Sequence, residues 1–132
     1  RHVIDLITDS LNKRQKSLNG SKVLIIGVAY KKDINDCRES PAIDIIELLE
    51  KSGSEVQYYD PYVPSLVYNN INLNSIDKLN AKTINTFDAC AIITDHSNIK
   101  YNRLLESDVL IIDTRNVFQN NDKKNIQRLG QG

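Results

Sequence analysis

The stretch from Lys22 to Asp60, KVLIIGVAYKKDINDCRESPAIDIIELLEKSGSEVQYYD, constrains the fold more than any other part of the chain. Val23 to Ile26 are an uninterrupted apolar run, the pattern of a parallel strand covered on both faces. Gly27 ends the run, and a polar loop follows that carries Tyr30, Lys31, Asp33, Asp36 and Arg38. Ser40 suits an N-cap and Pro41 the first helical position, where a missing N–H leaves nothing unpaired. Ala42, Ile45, Ile46 and Leu49 then share one helical face, widened by Ile43 and Leu48, until Gly53 stops the helix. Glu55 to Tyr59 reads as a second strand, closed by Asp60-Pro61. This strand, helix and strand predict an α/β fold: a doubly wound, mainly parallel sheet with Rossmann-like topology, in a single domain. The loop after the first strand then lies at a carboxyl end of the sheet, where ligands of such folds bind.

The flanking segments extend the same pattern. From His2 to Leu18, apolar residues at Val3, Ile4, Ile7, Leu11 and Leu18 predict a helix, with acids early and bases late to suit its dipole and Asn19-Gly20 to end it. Ala89 to Thr94 and Val109 to Asp113 read as two further buried strands, joined by helical turns over Tyr101 to Glu106. Tyr62 to Thr86 is Asn-rich and weakly periodic, with a short helix expected near Ser75 to Leu79. After Phe118 the sequence is polar and is expected to fray.

Charge and cysteine usage narrow the partners. Lys plus Arg and Asp plus Glu both number 17, so the chain has no global positive field that would gather nucleic acid or anionic membrane, and any anion site must be local. No apolar run approaches the ~18 residues of a membrane span. Cys37 and Cys90 lack zinc or redox spacing, which predicts no metal site and a reducing, cytoplasmic setting. The chain has no methionine and starts at Arg1, so it is expected to be a piece of a longer protein.

Three clusters could carry chemistry. In the first loop Lys31, Lys32 and Arg38 precede a helix N-terminus, which favours an anion, yet one glycine makes neither a GxGxxG nor a Walker pattern. Asp33, Asp36 and Glu39 could instead neutralise these bases. Asp60 could hold a ribose, as an acid at that place does in dinucleotide folds, or simply open a turn. Asp113-Thr114-Arg115-Asn116 follows the last clear strand, so Arg115 belongs to the same rim as Lys31; its forked donors suit phosphate, carboxylate or a base edge, or a surface salt bridge. Thr94-Asp95-His96-Ser97 invites a triad reading that adjacency argues against, because neighbouring side chains diverge. His96 is expected in a loop or at a helix start. Cys37 is a filler position or a thiol with lowered pKa, and Cys90 a core residue.

GVAYKKDINDCRESPAIDII, YYDPYVP, TDHSNIKY and IIDTRNVF, in this order, resemble the C-terminal, UDP-binding domain of the UDP-glucose/GDP-mannose dehydrogenase family, most of all bacterial UDP-N-acetylhexosamine 6-dehydrogenases. The resemblance implies that residues 1–20 are a linker helix from a central domain and that residues 21–132 are the UDP-sugar-binding domain, with a polar tail from about 119. It implies an enzyme that oxidises a sugar C6 alcohol to a uronate for polysaccharide precursors, in two hydride transfers to NAD, through a thiohemiacetal and a thioester. Tyr30 and Lys31 match the aromatic-Lys pair that contacts the UDP-sugar, Arg115 an arginine at the substrate, and Arg38 an arginine that reaches the NAD side. The family's nucleophilic cysteine and dinucleotide fingerprint belong to stretches this sequence does not contain, so no catalytic residue is assigned and the chain alone is expected to be inactive. NAD is then bound mainly by another domain, and the whole enzyme is expected to be a homodimer or higher oligomer. UDP-N-acetylglucosamine or UDP-N-acetylmannosamine is the expected substrate, with UDP-glucose or GDP-mannose as alternatives. The rival from another class is a stand-alone α/β interaction or regulatory module.

Overall fold

The computed structural model describes residues 2–31, 33, 36–37, 40–119, 121 and 123–128. Helix α1 (His2–Lys13) precedes strand β1 (Lys22–Ile26), helix α2 (Pro41–Lys51) and strand β2 (Glu55–Tyr59). Strands β3 (Ser65–Tyr68) and β4 (Ile71–Asn74), helix α3 (Ala81–Ile84) and strand β5 (Ala89–Ile92) follow, then helix α4 (Asn102–Leu105), strand β6 (Leu110–Asp113) and strand β7 (Ile126–Arg128). The main sheet has the order β2-β1-β5-β6-β7, and every neighbouring pair in it is parallel. This is the doubly wound, Rossmann-like α/β class that the apolar runs predict.

The runs are uninterrupted because both faces of the sheet are covered. Val23 and Ile25 of β1, with Ala89, Ala91, Leu110 and Ile112, join one core that includes Ile7 and Leu11 of α1 and Ile46 and Leu49 of α2. The alternate residues Leu24, Ile26, Cys90, Ile92 and Ile111 join the opposite core with Ile84, Leu104 and Phe118. A period of two along each strand thus sorts one apolar run between two layers. Helix α2 starts as expected: Ser40 has extended backbone and its hydroxyl accepts the Ala42 N–H, with Pro41 behind it. Gly53, at φ 88°, follows the helix end.

Three expectations fail, each for a local reason. The first helix stops at Lys13 rather than near Asn19-Gly20. Gln15 takes a left-handed conformation (φ 61°), and the Gln15 and Lys16 N–H groups return to the Asn12 and Leu11 carbonyls, a Schellman closure built without glycine. The short helix expected near Ser75 to Leu79 forms later, as α3 behind the Asn80 cap, because Ser75 bridges Tyr58 in extended form, and ahead of it β3 and β4 make an unexpected antiparallel hairpin around Asn69-Asn70, with Asn69 at φ 52°. Leu66 and Ile71 of that hairpin are buried against the α2 side of the core. Lastly, the stretch expected to fray returns as β7, whose Ile126 pairs with Ile111 and is buried.

Candidate functional site

The strand order changes direction between β1 and β5, and in an open α/β sheet the crevice above such a switch point is where ligands settle. The loops after β1 and β5 therefore define the candidate site. The chain leaves β1 through Gly27, whose φ is 84° and whose N–H donates to the Tyr59 carbonyl at 2.9 Å. A Cβ on Gly27 would lie 2.2 Å from the Thr94 carbonyl oxygen, so only glycine lets the first loop press against the end of β5. The Thr94 hydroxyl then donates to the Ala29 carbonyl at 2.6 Å.

Beneath this loop lies a buried polar cluster. Asp60, at the end of β2, is 1% exposed. Its Oδ2 accepts the Val28 N–H at 2.8 Å and the Ala29 N–H at 3.1 Å, and its Oδ1 accepts the Tyr62 N–H at 2.9 Å. His96 Nε2 lies 2.9 Å from the same Oδ2, while His96 Nδ1 lies 2.7 Å from the Asp33 backbone nitrogen. A backbone N–H can only donate, so Nδ1 is the acceptor and Nε2 carries the proton given to Asp60. Asp33 answers from the loop side: its carboxylate accepts the Ser97 N–H at 2.8 Å and the Ser97 hydroxyl at 2.7 Å. The Tyr62 ring packs on the imidazole at a centroid distance of 4.8 Å.

This geometry resolves several readings. Asp60 spends both oxygens on the chain's own donors, so the ribose-binding alternative does not hold. His96 lies in the loop after β5, as expected, but is fully buried, and the sequence offered no means of pairing it with an aspartate 36 positions away. Ser97 serves Asp33 and not His96, so the TDHS run is no triad. Burial first, then the Asp60 and Asp36 carboxylates, pushes the Cys37 thiol above its ordinary pKa, which removes the alternative of an activated thiolate. Cys90 is fully buried in β5, and neither cysteine forms a disulfide. Among the described residues no group of His, Cys, Asp and Glu could hold a metal ion, and no helix is long and apolar enough to cross a membrane.

Of the residues expected to contact ligand, Tyr30, Lys31 and Arg115 lie on loops at the carboxyl end of the sheet. Tyr30 is 46% exposed, and the Lys31 ammonium stands 5.6 Å from the centre of its ring. Arg115 is exposed on the loop after β6, one strand beyond β5. A second buried aspartate shapes that loop: Asp113 accepts the Arg115 and Val117 N–H groups through Oδ1 and the Phe118 N–H through Oδ2, with Asn116 at φ 61°. Among the described residues neither the Lys31 ammonium nor the Arg115 guanidinium has a hydrogen-bonding or ion-pair partner. Arg38, assigned to the NAD side, lies outside the described residues, as do Lys32 and Glu39. A hollow of about 520 Å³ lined by Arg14, Asp108, Lys123, Lys124 and Asn125 sits at the opposite, amino end of the strands. Two of its bases cap carbonyls there, Arg14 on Asp108 and Lys123 on Leu105 and Ser107.

A family model described as the UDP binding domain of the UDP-glucose/GDP-mannose dehydrogenase family matches residues 24–120, which include both loops of the rim. The chain belongs to that family. Similar proteins agree with the match. The UDP-N-acetyl-D-mannosamine dehydrogenase of Methanococcus aeolicus is 31% identical over 131 residues, covering 90% of this chain and 28% of that protein. The UDP-glucose 6-dehydrogenase TuaD of Bacillus subtilis is 34% identical over 120 residues, covering 85% of this chain and 26% of that protein. The solved UDP-D-ManNAc dehydrogenase of Pyrococcus horikoshii superposes with a TM-score of 0.78 at 28% identity, over 98% of this chain and 30% of that one. The UDP-binding domain thus spans under a third of the length of each of these relatives.

Proposed function

We propose that this chain is the substrate-nucleotide-binding part of an NAD-dependent UDP-sugar 6-dehydrogenase, holding UDP on the rim formed by Tyr30, Lys31 and Arg115. The observation that carries the reading is that two cations with no hydrogen-bonding or ion-pair partner among the described residues flank β5 at the switch point, within the span of the family match. Lys31 supplies charge beside the diphosphate, Tyr30 packs on the nucleotide or hydrogen-bonds it, and Arg115 fixes the substrate. Residues 1–20 lead in from a central domain, and Arg38 faces the cofactor. The substrate is UDP-N-acetylmannosamine, which the Methanococcus and Pyrococcus relatives favour, or UDP-N-acetylglucosamine. UDP-glucose is the second reading, favoured by the Bacillus relative. In the whole enzyme, a cytoplasmic homodimer or higher oligomer, the sugar C6 alcohol becomes a carboxylate for polysaccharide precursors.

NAD does not fit the first loop of this chain. A dinucleotide cradle needs backbone N–H groups open to a pyrophosphate. Here the Val28 and Ala29 N–H groups point at the Asp60 carboxylate and the Gly27 N–H at Tyr59. The cofactor therefore belongs to another domain, and the part played by this chain is to bind and orient the substrate.

Calorimetric titration of the chain with UDP, UDP-N-acetylglucosamine, UDP-N-acetylmannosamine and GDP tests the reading. UDP and its sugars should bind and GDP should bind more weakly. Lys31→Ala should lose roughly tenfold or more in affinity, since a charge-assisted hydrogen bond contributes about 1.5–3 kcal/mol. Equal binding by Lys31→Ala would remove Lys31 from the site, and equal binding of GDP would remove the preference for UDP.

A further inference from the structure

We propose that His96 is a positioning residue for nucleotide binding: it holds Asp33 and thereby sets the turn that presents Tyr30 and Lys31 to the diphosphate. The inference rests on the UDP-binding role proposed above and adds a residue that touches no ligand.

His96 joins three strand ends. It is carried by the loop after β5, its Nε2 reaches Asp60 at the end of β2, and its Nδ1 takes the Asp33 N–H from the loop after β1. The β1 and β5 loops are the two walls of the switch-point crevice, so His96 ties one wall to the other from below. Asp33 stands at φ 60°, a left-handed conformation that aspartate adopts more readily than most side chains and that its hydrogen bonds hold in place here. The surroundings are specific. Asp33 is bonded through its N–H to His96 and through its carboxylate to the Ser97 N–H and hydroxyl. Lys31 lies two residues earlier, so the anchored backbone at Asp33 limits where the ammonium can stand. The Tyr30 N–H closes the same loop on the Asp36 carbonyl at 2.5 Å.

The chemistry of the ring explains why histidine fits here. The site needs one acceptor for Asp33 and one donor for Asp60 on a rigid, buried frame, and a neutral imidazole supplies both at once. Loss of the acceptor alone removes the bond that fixes the Asp33 N–H to the buried ring and frees the turn to sample other shapes. Apparent affinity falls by the fraction of chains still in the binding shape, so a loop that holds that shape a tenth of the time binds about tenfold more weakly.

The two polar contacts can be separated by substitution. The Oδ1 of an asparagine can sit near the imidazole Nδ1 and keep the acceptor, while the terminal NH2 of a glutamine can sit near Nε2 and keep the donor. We expect the chain with His96→Gln to bind UDP about tenfold more weakly than the parent with a similar thermal midpoint, and His96→Asn to recover affinity to within about threefold of the parent. Amide exchange in the absence of ligand should show the Asp33 N–H protected in the parent and in His96→Asn, and fast in His96→Gln. UDP binding by His96→Gln equal to the parent overturns the inference, as does a parallel fall of affinity and thermal midpoint in both variants, which marks a merely structural histidine. Failure of the parent to bind UDP overturns the proposed function, and the inference with it. The parent titration therefore separates the two failures.

Discussion

At the scale of single residues, the shape of the candidate site depends on side chains and hydrogen atoms buried beneath its rim. Gly27 shows this most simply. Its left-handed φ would burden any other residue, and its missing Cβ leaves room for the Thr94 carbonyl. Gly20 has a similar φ, 87°, with no atom within 4 Å of where a Cβ would stand. Gly20→Ala should therefore cost only the backbone penalty, ~1–2 kcal/mol, and Gly27→Ala should cost that plus a clash of ~1–3 kcal/mol. Denaturant midpoints of the two variants measure the difference, and equal costs would mean that β1 and β5 need not approach so closely. The sequence marked Gly27 as a strand end, but the atom that forbids a side chain belongs to residue 94. Asp60 and Asp113 teach the same lesson: both are legible as acids after strands, while the backbone N–H groups they collect become visible only once the loops have closed.

At the scale of elements, local signals were read well where they were strong. Ser40-Pro41 starts α2 and Gly53 follows its end because capping chemistry involves only neighbouring residues. The hairpin of β3 and β4 carries a weaker signal: Asn69-Asn70 suits a left-handed turn, but only Ile71 to Asn74 alternates, while Leu66-Val67 is a continuous apolar pair. The end of α1 was missed because Gln15, an ordinary helix former, takes the position usually given to glycine. Strand β7 was missed because its three residues, Ile126–Arg128, offer a single large apolar side chain. Its stability comes from pairing with β6, from Asn125 donating to the Val109 carbonyl at 2.6 Å, and from Arg128 reaching the Phe118 and Asn121 carbonyls. Ile126→Ala should destabilise the chain by about 2 kcal/mol, and Gln127→Ala by less than about 0.5 kcal/mol, in urea unfolding. A frayed tail would make both substitutions silent.

At the scale of the whole molecule, the two ends of the sheet carry different work. The carboxyl end holds the rim with Tyr30, Lys31 and Arg115, and the amino end holds ion pairs that fasten the chain. Asp88, just before β5, accepts the Lys16 ammonium at 2.6 Å and the Lys22 N–H at 2.8 Å. Burial raises its pKa, but the Lys16 and Lys22 contacts outweigh burial and hold the carboxyl below its ordinary value. A group lowered in the folded state contributes stability above its unfolded pKa, near 4, and loses it as the pH falls through the folded pKa. Asp88→Asn should thus lower stability at pH 7, by under about 1 kcal/mol for so exposed a pair, and flatten the acid side of the stability curve below pH ~4. UDP affinity should be unchanged, because Asp88 lies at the far end of β5 from the rim. A loss of UDP binding in this variant would show that the two ends are coupled.

By itself the sequence determined the βαβ start of the fold, the caps of α2, the buried character of β1, β5 and β6, and the family to which the chain belongs. These depend on periodicity, capping and motif order, which act over a few residues or are carried by residue identity. Only the tertiary structure decided that β5 lies beside β1, that β7 forms the sheet edge, and that Asp60 and His96 meet beneath the loop after β1. Strand order arises from packing between segments far apart in the chain, and a buried polar group takes its partner from whichever strand end that packing brings within hydrogen-bonding reach.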